Sequence, residues 1–160
     1  MAAKLPEFQI IRDTREQKGW VFDEEEKKSG KCRITGTTEI KLDTGDYSIK
    51  GLEHLITIER KNGFSELFGN LGNKTSRIRF EKEIDRMSSI PHCYILVETN
   101  LSKDTLGLGI PQGSSMPASR IYEQLLSYTL SHNINVMFVG ECGKSTARKI
   151  FELTARKYLY

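Results

Sequence analysis

At 160 residues the chain suits one domain, and with 28% charged side chains of both signs it is not of the disordered class. No apolar run approaches the ~18 residues of a membrane span, and residues 1–6 carry no apolar stretch, so neither a membrane protein nor a secreted one is expected. Twenty-four basic against 21 acidic residues leave a net charge of +3, too little by itself to announce a nucleic-acid partner.

Residues 8–13 predict a strand that ends in charge, and residues 14–38 read as polar and irregular, with Trp20 and Phe22 plugging the core. Ile40 and Leu42 alternate with polar residues and lead into a second strand over 44–49, with a turn or bulge at Gly45. A third strand covers 55–61, and the short segment at 51–54 suits a hairpin. A helix is expected from Ser65, broken near 69–73 and resumed after Ser76, where Phe80, Ile84 and Met87 fall at i, i+4 and i+7. Residues 94–98 read as a buried strand and 100–119 as a long connection rich in Gly, Pro and Ser. A helix follows with Ile121, Leu125 and Tyr128 on one side and Leu126 and Leu130 beside them. A strand at 134–139 and a last helix from near Ser145, with Ala147, Ile150, Phe151, Thr154 and Tyr158 on one stripe, complete the order. A hairpin followed by alternating helices and strands predicts an α/β fold, a mixed central sheet flanked by helices, in a single domain over residues 1–160.

Chemistry concentrates at Asp46, Glu59 and Lys61. Side chains alternate across a strand, so Glu59 and Lys61 share a face about 7 Å apart while Ile56, Ile58 and Arg60 take the other. A turn between Ile49 and Leu55 sets Asp46 opposite Glu59. Two carboxylates beside an ammonium suit a hard cation, Mg²⁺ or Mn²⁺, and the metal-assisted hydrolysis of a phosphodiester. A lone Glu-x-Lys is common, and a surface pair of that kind is worth under ~1 kcal/mol. What shifts the balance is Asp46 within Gly-Asp-Tyr, the charged Glu-Arg-Lys that closes an apolar strand, and a second acidic strand end at Asp13-Thr14-Arg15-Glu16.

Those three motifs, Asp13-Thr14-Arg15-Glu16, Gly45-Asp46-Tyr47 and Ile58-Glu59-Arg60-Lys61, in that order, resemble the nuclease domain of the XPF/ERCC4-Mus81 family of structure-specific endonucleases. The family's hallmark is GD…ERK followed by DL, within the PD-(D/E)xK restriction-endonuclease-like fold. The resemblance implies that Asp46 and Glu59 ligate Mg²⁺ or Mn²⁺, with the Arg60 carbonyl as a further ligand, and that Lys61 positions the attacking water. It assigns Arg60 and Arg15 to phosphate, and Asp13 to holding an active-site arginine or reaching the metal through water; Glu16 reads equally as a surface ion pair. Glu66-Leu67 stands one residue away from the family's acidic-Leu dipeptide, so Glu66 is not counted as a ligand. The resemblance ends at Tyr160 with no tandem helix-hairpin-helix module of the kind that follows in full-length relatives, so a nuclease-only form is expected, to which their junction preference does not transfer.

The activity implied is a metal-dependent DNA endonuclease acting at branched or single-strand/double-strand junctions. The rival is a catalytically inactive nuclease-like DNA-binding or scaffold module, against which the intact Asp46, Glu59 and Lys61 argue. The expected partner is DNA, with a homodimer or a larger DNA-processing protein beside it and no nucleotide cofactor. The expected location is inside the cell with DNA: the cytoplasm of a prokaryotic or phage-infected cell, or a nucleus.

Arg79, Lys82 and Arg86, with Arg77 close by, form a narrow basic stripe on the predicted helix. A second patch includes Lys144 and Arg148, where residues 144–160 hold five basic residues against one acidic. Either can neutralise phosphates, and an ordinary solvated helix face is the competing reading of each. Gly140-Glu141-Cys142-Gly143-Lys144-Ser145 imitates a phosphate-binding loop but is two residues short of GxxxxGK[ST]. Gly107 to Gly113 has no strand running into it and is no dinucleotide fingerprint. Cys32, Cys93 and Cys142 lie far apart, form no CxxC pair, and suggest neither zinc nor a disulfide framework.

Overall fold

A computed structural model describes residues 6–22 and 32–159. Its strands are β1 (Glu7–Arg12), β2 (Arg33–Glu39), β3 (Tyr47–Ile49), β4 (Ile56–Lys61), β5 (His92–Val97) and β6 (Asn135–Phe138). Its helices are α1 (Phe64–Leu71), α2 (Lys74–Met87), α3 (Lys103–Leu106), α4 (Ala118–Ser131) and α5 (Gly143–Tyr158). The strands form one sheet in the order β2-β1-β3-β4-β5-β6. β3 runs antiparallel to both β1 and β4, while β1–β2, β4–β5 and β5–β6 are parallel. This is the mixed α/β sheet expected from the order of elements.

Alternation along the strands sorts the core into two layers. Ile10, Tyr47, Ile49, Ile56, Ile58 and Leu96 face one way and pack with Trp20, Phe22, Ala147 and Phe151, the last two from α5. Cys93, Ile95 and Val97 face the other way, against Phe64, Leu67 and Leu71 of α1, Phe80, Ile84 and Met87 of α2, and Ile121, Leu125 and Tyr128 of α4. Leu126 and Leu130, placed beside the apolar stripe of α4 by the sequence, are exposed. Trp20 and Phe22 are buried as expected; Trp20 stacks on Tyr47 at 5.0 Å between ring centroids.

The structure corrects the reading of residues 14–38 as irregular throughout: 33–39 form β2, a parallel edge strand. Gly36, at φ 143°, lies where the register with β1 slips by one residue, so the bulge hides the alternation a pattern search needs. Thr35, Thr37 and Thr38 still fill an extended, half-buried strand because β-branched side chains suit a pleated surface. The predicted strand at 44–49 shrinks to Tyr47–Ile49, and Ile40 lies outside any strand, partly exposed. The long connection contains the single turn α3, capped by Ser102, and is pinned to the α1–α2 junction where the Ser115 hydroxyl donates to Gly72 O at 2.8 Å. Among the described residues no helix is long and apolar enough to cross a membrane.

Candidate active site

Antiparallel pairing of Tyr47 with Ile58 sets the preceding residue, Asp46, against Glu59. Two bonds hold that register: Asp46 N–H donates to Ile58 O at 2.9 Å, and Arg60 N–H donates to the Asp46 carboxylate at 2.8 Å. The turn into β3 depends on Gly45, whose φ is +77°; a Cβ there would stand 1.9 Å from Thr57 Oγ1. Glycine is therefore required both by the left-handed backbone and by the approach to β4.

Glu59 and Lys61 point to the α1–α2 side of β4. Both are buried, and Lys61 Nζ lies 3.1 Å from Glu59 Oε1 and 3.5 Å from Glu66 Oε1. The ammonium also sits 5.1 Å from the centre of the Phe80 ring. Burial, and then Glu59, push the Asp46 pKa up, against the Arg60 N–H bond that pulls it down. Burial likewise lifts Glu59, opposed chiefly by the Lys61 charge. The remaining Glu59 oxygen, Oε2, is buried without a hydrogen-bond partner among the described residues.

The donor chemistry fits a hard divalent cation. Glu59 raises the Asp46 pKa, Glu83 and Glu66 raise that of Glu59, and the single ammonium of Lys61 leaves acid in excess around a Glu59 oxygen that has no hydrogen-bond partner among the described residues. Among the described residues no group of three Asp, Glu, His or Cys side chains converges as a metal cage. That is the usual situation for Mg²⁺, which binds through one or two carboxylates and keeps several waters.

Asp13 is buried and serves as a joint. Its carboxylate accepts from Arg15 Nε and from Leu42 N–H, both at 2.7 Å, while its backbone N–H donates to Asp46 O at 2.8 Å. These bonds hold its pKa below the usual carboxylate range despite burial. The Arg15 side chain stays largely exposed, donates from Nη2 to Leu42 O at 2.9 Å, and feels the charges of Glu83 and Asp46.

Arg60 points away, onto the α5 side of the sheet. Its guanidinium pairs with Glu98, lies 3.9 Å from Glu16, donates to Lys18 O at 2.8 Å and covers the Trp20 ring at 5.1 Å. The basic residues divide in the same way. Arg79 lines a cavity of about 230 Å³ with Lys61, Ser76 and Glu83. Lys82 is exposed, Arg86 lies 3.5 Å from Glu83, and Arg77 rests against the Met116 sulfur. Lys144, over the Phe22 ring, and Arg148, 3.7 Å from Glu152, sit on α5, across the sheet from Asp46 and Glu59. The structure therefore places Arg79 beside Lys61 and Arg86 beside Glu83, leaves Arg77 on Met116 and Lys82 exposed, and separates the α5 patch from the acidic pair.

Two acids escaped the sequence reading. Glu83 accepts from Gly45 N–H at 3.5 Å and adds negative charge near Glu59; its signal was its place one turn after Arg79, on the face of α2 that meets β4. Glu98 follows the Val97 that pairs with Lys61 in the parallel ladder, so an acid at that strand end was the clue.

The ERCC4 domain family matches residues 12–151, a span that holds every element from β2 through most of α5. The chain belongs to this family, which bears out the XPF/ERCC4 resemblance read from its three motifs. Among solved structures it resembles XPF from Aeropyrum pernix, at 18% identity and a TM-score of 0.59, over 92% of this chain and 61% of that one. It also resembles XPF from Aeropyrum pernix in complex with DNA, at 18% identity and a TM-score of 0.57, over 96% of this chain and 68% of that one. At this identity the likeness establishes a shared fold. No curated protein sequence matches the chain.

Proposed function

We propose that the chain is a DNA endonuclease that hydrolyses phosphodiester bonds with Mg²⁺ or Mn²⁺ held between Asp46 and Glu59. The observation that carries this reading is the pairing of half-buried Asp46 with buried Glu59, whose Oε2 has no hydrogen-bond partner among the described residues, set beside Lys61. When bound, the cation supplies polarisation of the phosphoryl oxygen and acidification of water. The protein's own part is positional. The Arg60 N–H fixes one Asp46 oxygen, Asp13 braces both Arg15 and the Asp46 backbone, and the Lys61 ammonium holds a water or the charge that builds on phosphate. Arg15 and, on α2, Arg79 and Lys82 take the flanking phosphates.

Branched or junction DNA is the proposed substrate, inside the cell, with a second copy or a larger DNA-processing protein as the proposed partner. The test uses labelled single-stranded, duplex, flap and four-way DNA with Mg²⁺, Mn²⁺ or EDTA. Metal-dependent cutting, strongest on flap or four-way DNA, is expected. Cutting that persists in EDTA removes the metal mechanism, and binding without any cutting establishes the rival, an inactive DNA-binding module.

A further inference from the structure

A cavity of about 420 Å³, within the range of ligand pockets, opens along β3 from the acidic pair. Thr44 and Ser48, two residues before and after Asp46, line it, and Leu42 and Ile90 give it an apolar floor. The Thr44 hydroxyl is buried without a hydrogen-bond partner among the described residues. Exposed His54 and Arg86 stand at its edges, the former from the hairpin and the latter from the end of α2.

Charge decides what fits. Asp43 and Glu53 also line the cavity, and Arg86 is already within 3.5 Å of Glu83, so no net positive charge remains to hold a phosphate. A neutral, flat, polar-edged group suits an apolar floor with acceptors at the rim, and an imidazole and a guanidinium are both surfaces on which a splayed base stacks. We infer that this cavity receives an unpaired nucleobase of the substrate strand, turned out beside the phosphate that faces Asp46 and Glu59. The inference rests on the nuclease reading and adds to it a physical reason for favouring junctions: a base that is already unpaired enters without the cost of leaving a duplex stack.

The experiment measures binding of the wild-type protein, in EDTA, to flap DNA carrying one abasic residue walked through the junction. One position should weaken binding by about tenfold, the loss of one stacked base. In a His54→Ala/Arg86→Ala variant, and separately in Ser89→Phe, which fills the mouth from an exposed position, that penalty should fall to about twofold or less. A flat abasic profile, or a penalty unchanged in both variants, overturns the inference; where the protein still cuts or binds flap DNA, the nuclease proposal survives that result. A protein that binds none of the DNAs overturns both.

Discussion

Asp46→Asn should make the metal-free protein more stable while abolishing cleavage. The amide oxygen can still accept from Arg60 N–H, and the side chain keeps its size, so the register of β3 on β4 persists. What disappears is one of two opposed acids, Asp46 half-buried and Glu59 buried. Directly opposed residues have Cβ atoms about 5 Å apart; at that separation and an effective dielectric constant of about 20, two ionised carboxylates repel by roughly 3 kcal/mol. Lys61 offsets part of this at Glu59, so a gain of about 1–3 kcal/mol is expected, or roughly 2–10 °C in melting temperature for a domain of this size. Both carboxyls have folded pKa values above their unfolded ones. Their contribution to stability is therefore fully present below the unfolded values, near pH 4, and is lost as pH rises through the folded values. The advantage of the variant should accordingly be absent near pH 4 and grow through neutrality to pH 8. Mg²⁺ should reverse the ranking, since a ligand present at 100 times its Kd stabilises by about 2.7 kcal/mol and only the wild type retains the full site. Thermal melts from pH 4 to 9, in EDTA and in Mg²⁺, measure all of this. An Asn variant no more stable than wild type at pH 8 in EDTA would refute the argument that these acids await a cation.

Lys61→Met keeps the aliphatic stem against Phe80 but removes the charge, and the single-turnover rate should fall roughly 10²–10³-fold with little change in DNA affinity; a drop below about tenfold at saturating protein and metal would reduce Lys61 to a charge balance for Glu59. Reversing Arg79 and Lys82 to Glu should weaken binding to every DNA structure by a similar factor, and each lost phosphate contact should flatten the log–log salt dependence by about 0.9; unchanged affinity would return the stripe to a solvated helix face. Gly45→Ala should cost about 1–3 kcal/mol from its backbone conformation alone, and more from the collision with Thr57. Cleavage should fall with stability because Asp46 is the next residue. Wild-type stability in a denaturant titration would show that the turn tolerates a side chain.

What was legible in the sequence was whatever follows from local periodicity. The stripe Phe80, Ile84, Met87 and the break before Asn73 gave the α1–α2 pair, because helical spacing and capping are properties of neighbouring residues. The pairing of Asp46 with Glu59 was readable because a short hairpin leaves few registers. β2 was not readable: its partner β1 lies more than 20 residues away, its glycine bulge breaks the alternation, and its threonines carry no apolar signal. Glu83 and Glu98 were missed for the same reason, since α2 and β5 bring them to the site through tertiary packing rather than through a motif.

The Glu-Arg-Lys triplet is one motif in the sequence and two structures in space. Strand alternation sends Glu59 and Lys61 to the α2 side and Arg60 to the α5 side. On the first side the side chains are in tension: two carboxyls lifted in pKa, one ammonium between Glu59 and Glu66, and an oxygen with no partner among the described residues. On the second side the polar needs are met, with Arg60 tied to Glu98, Glu16, the Lys18 carbonyl and the Trp20 face. Trp20 N–H in turn donates to the Tyr47 hydroxyl at 2.7 Å, and Tyr47 is the residue after Asp46. The arginine thus locks the segment after β1 onto the back of the strand pair, while its own backbone N–H fixes Asp46 on the front. Strain at a reactive pair persists only where its surroundings over-determine it, and here one residue supplies a bond to each face.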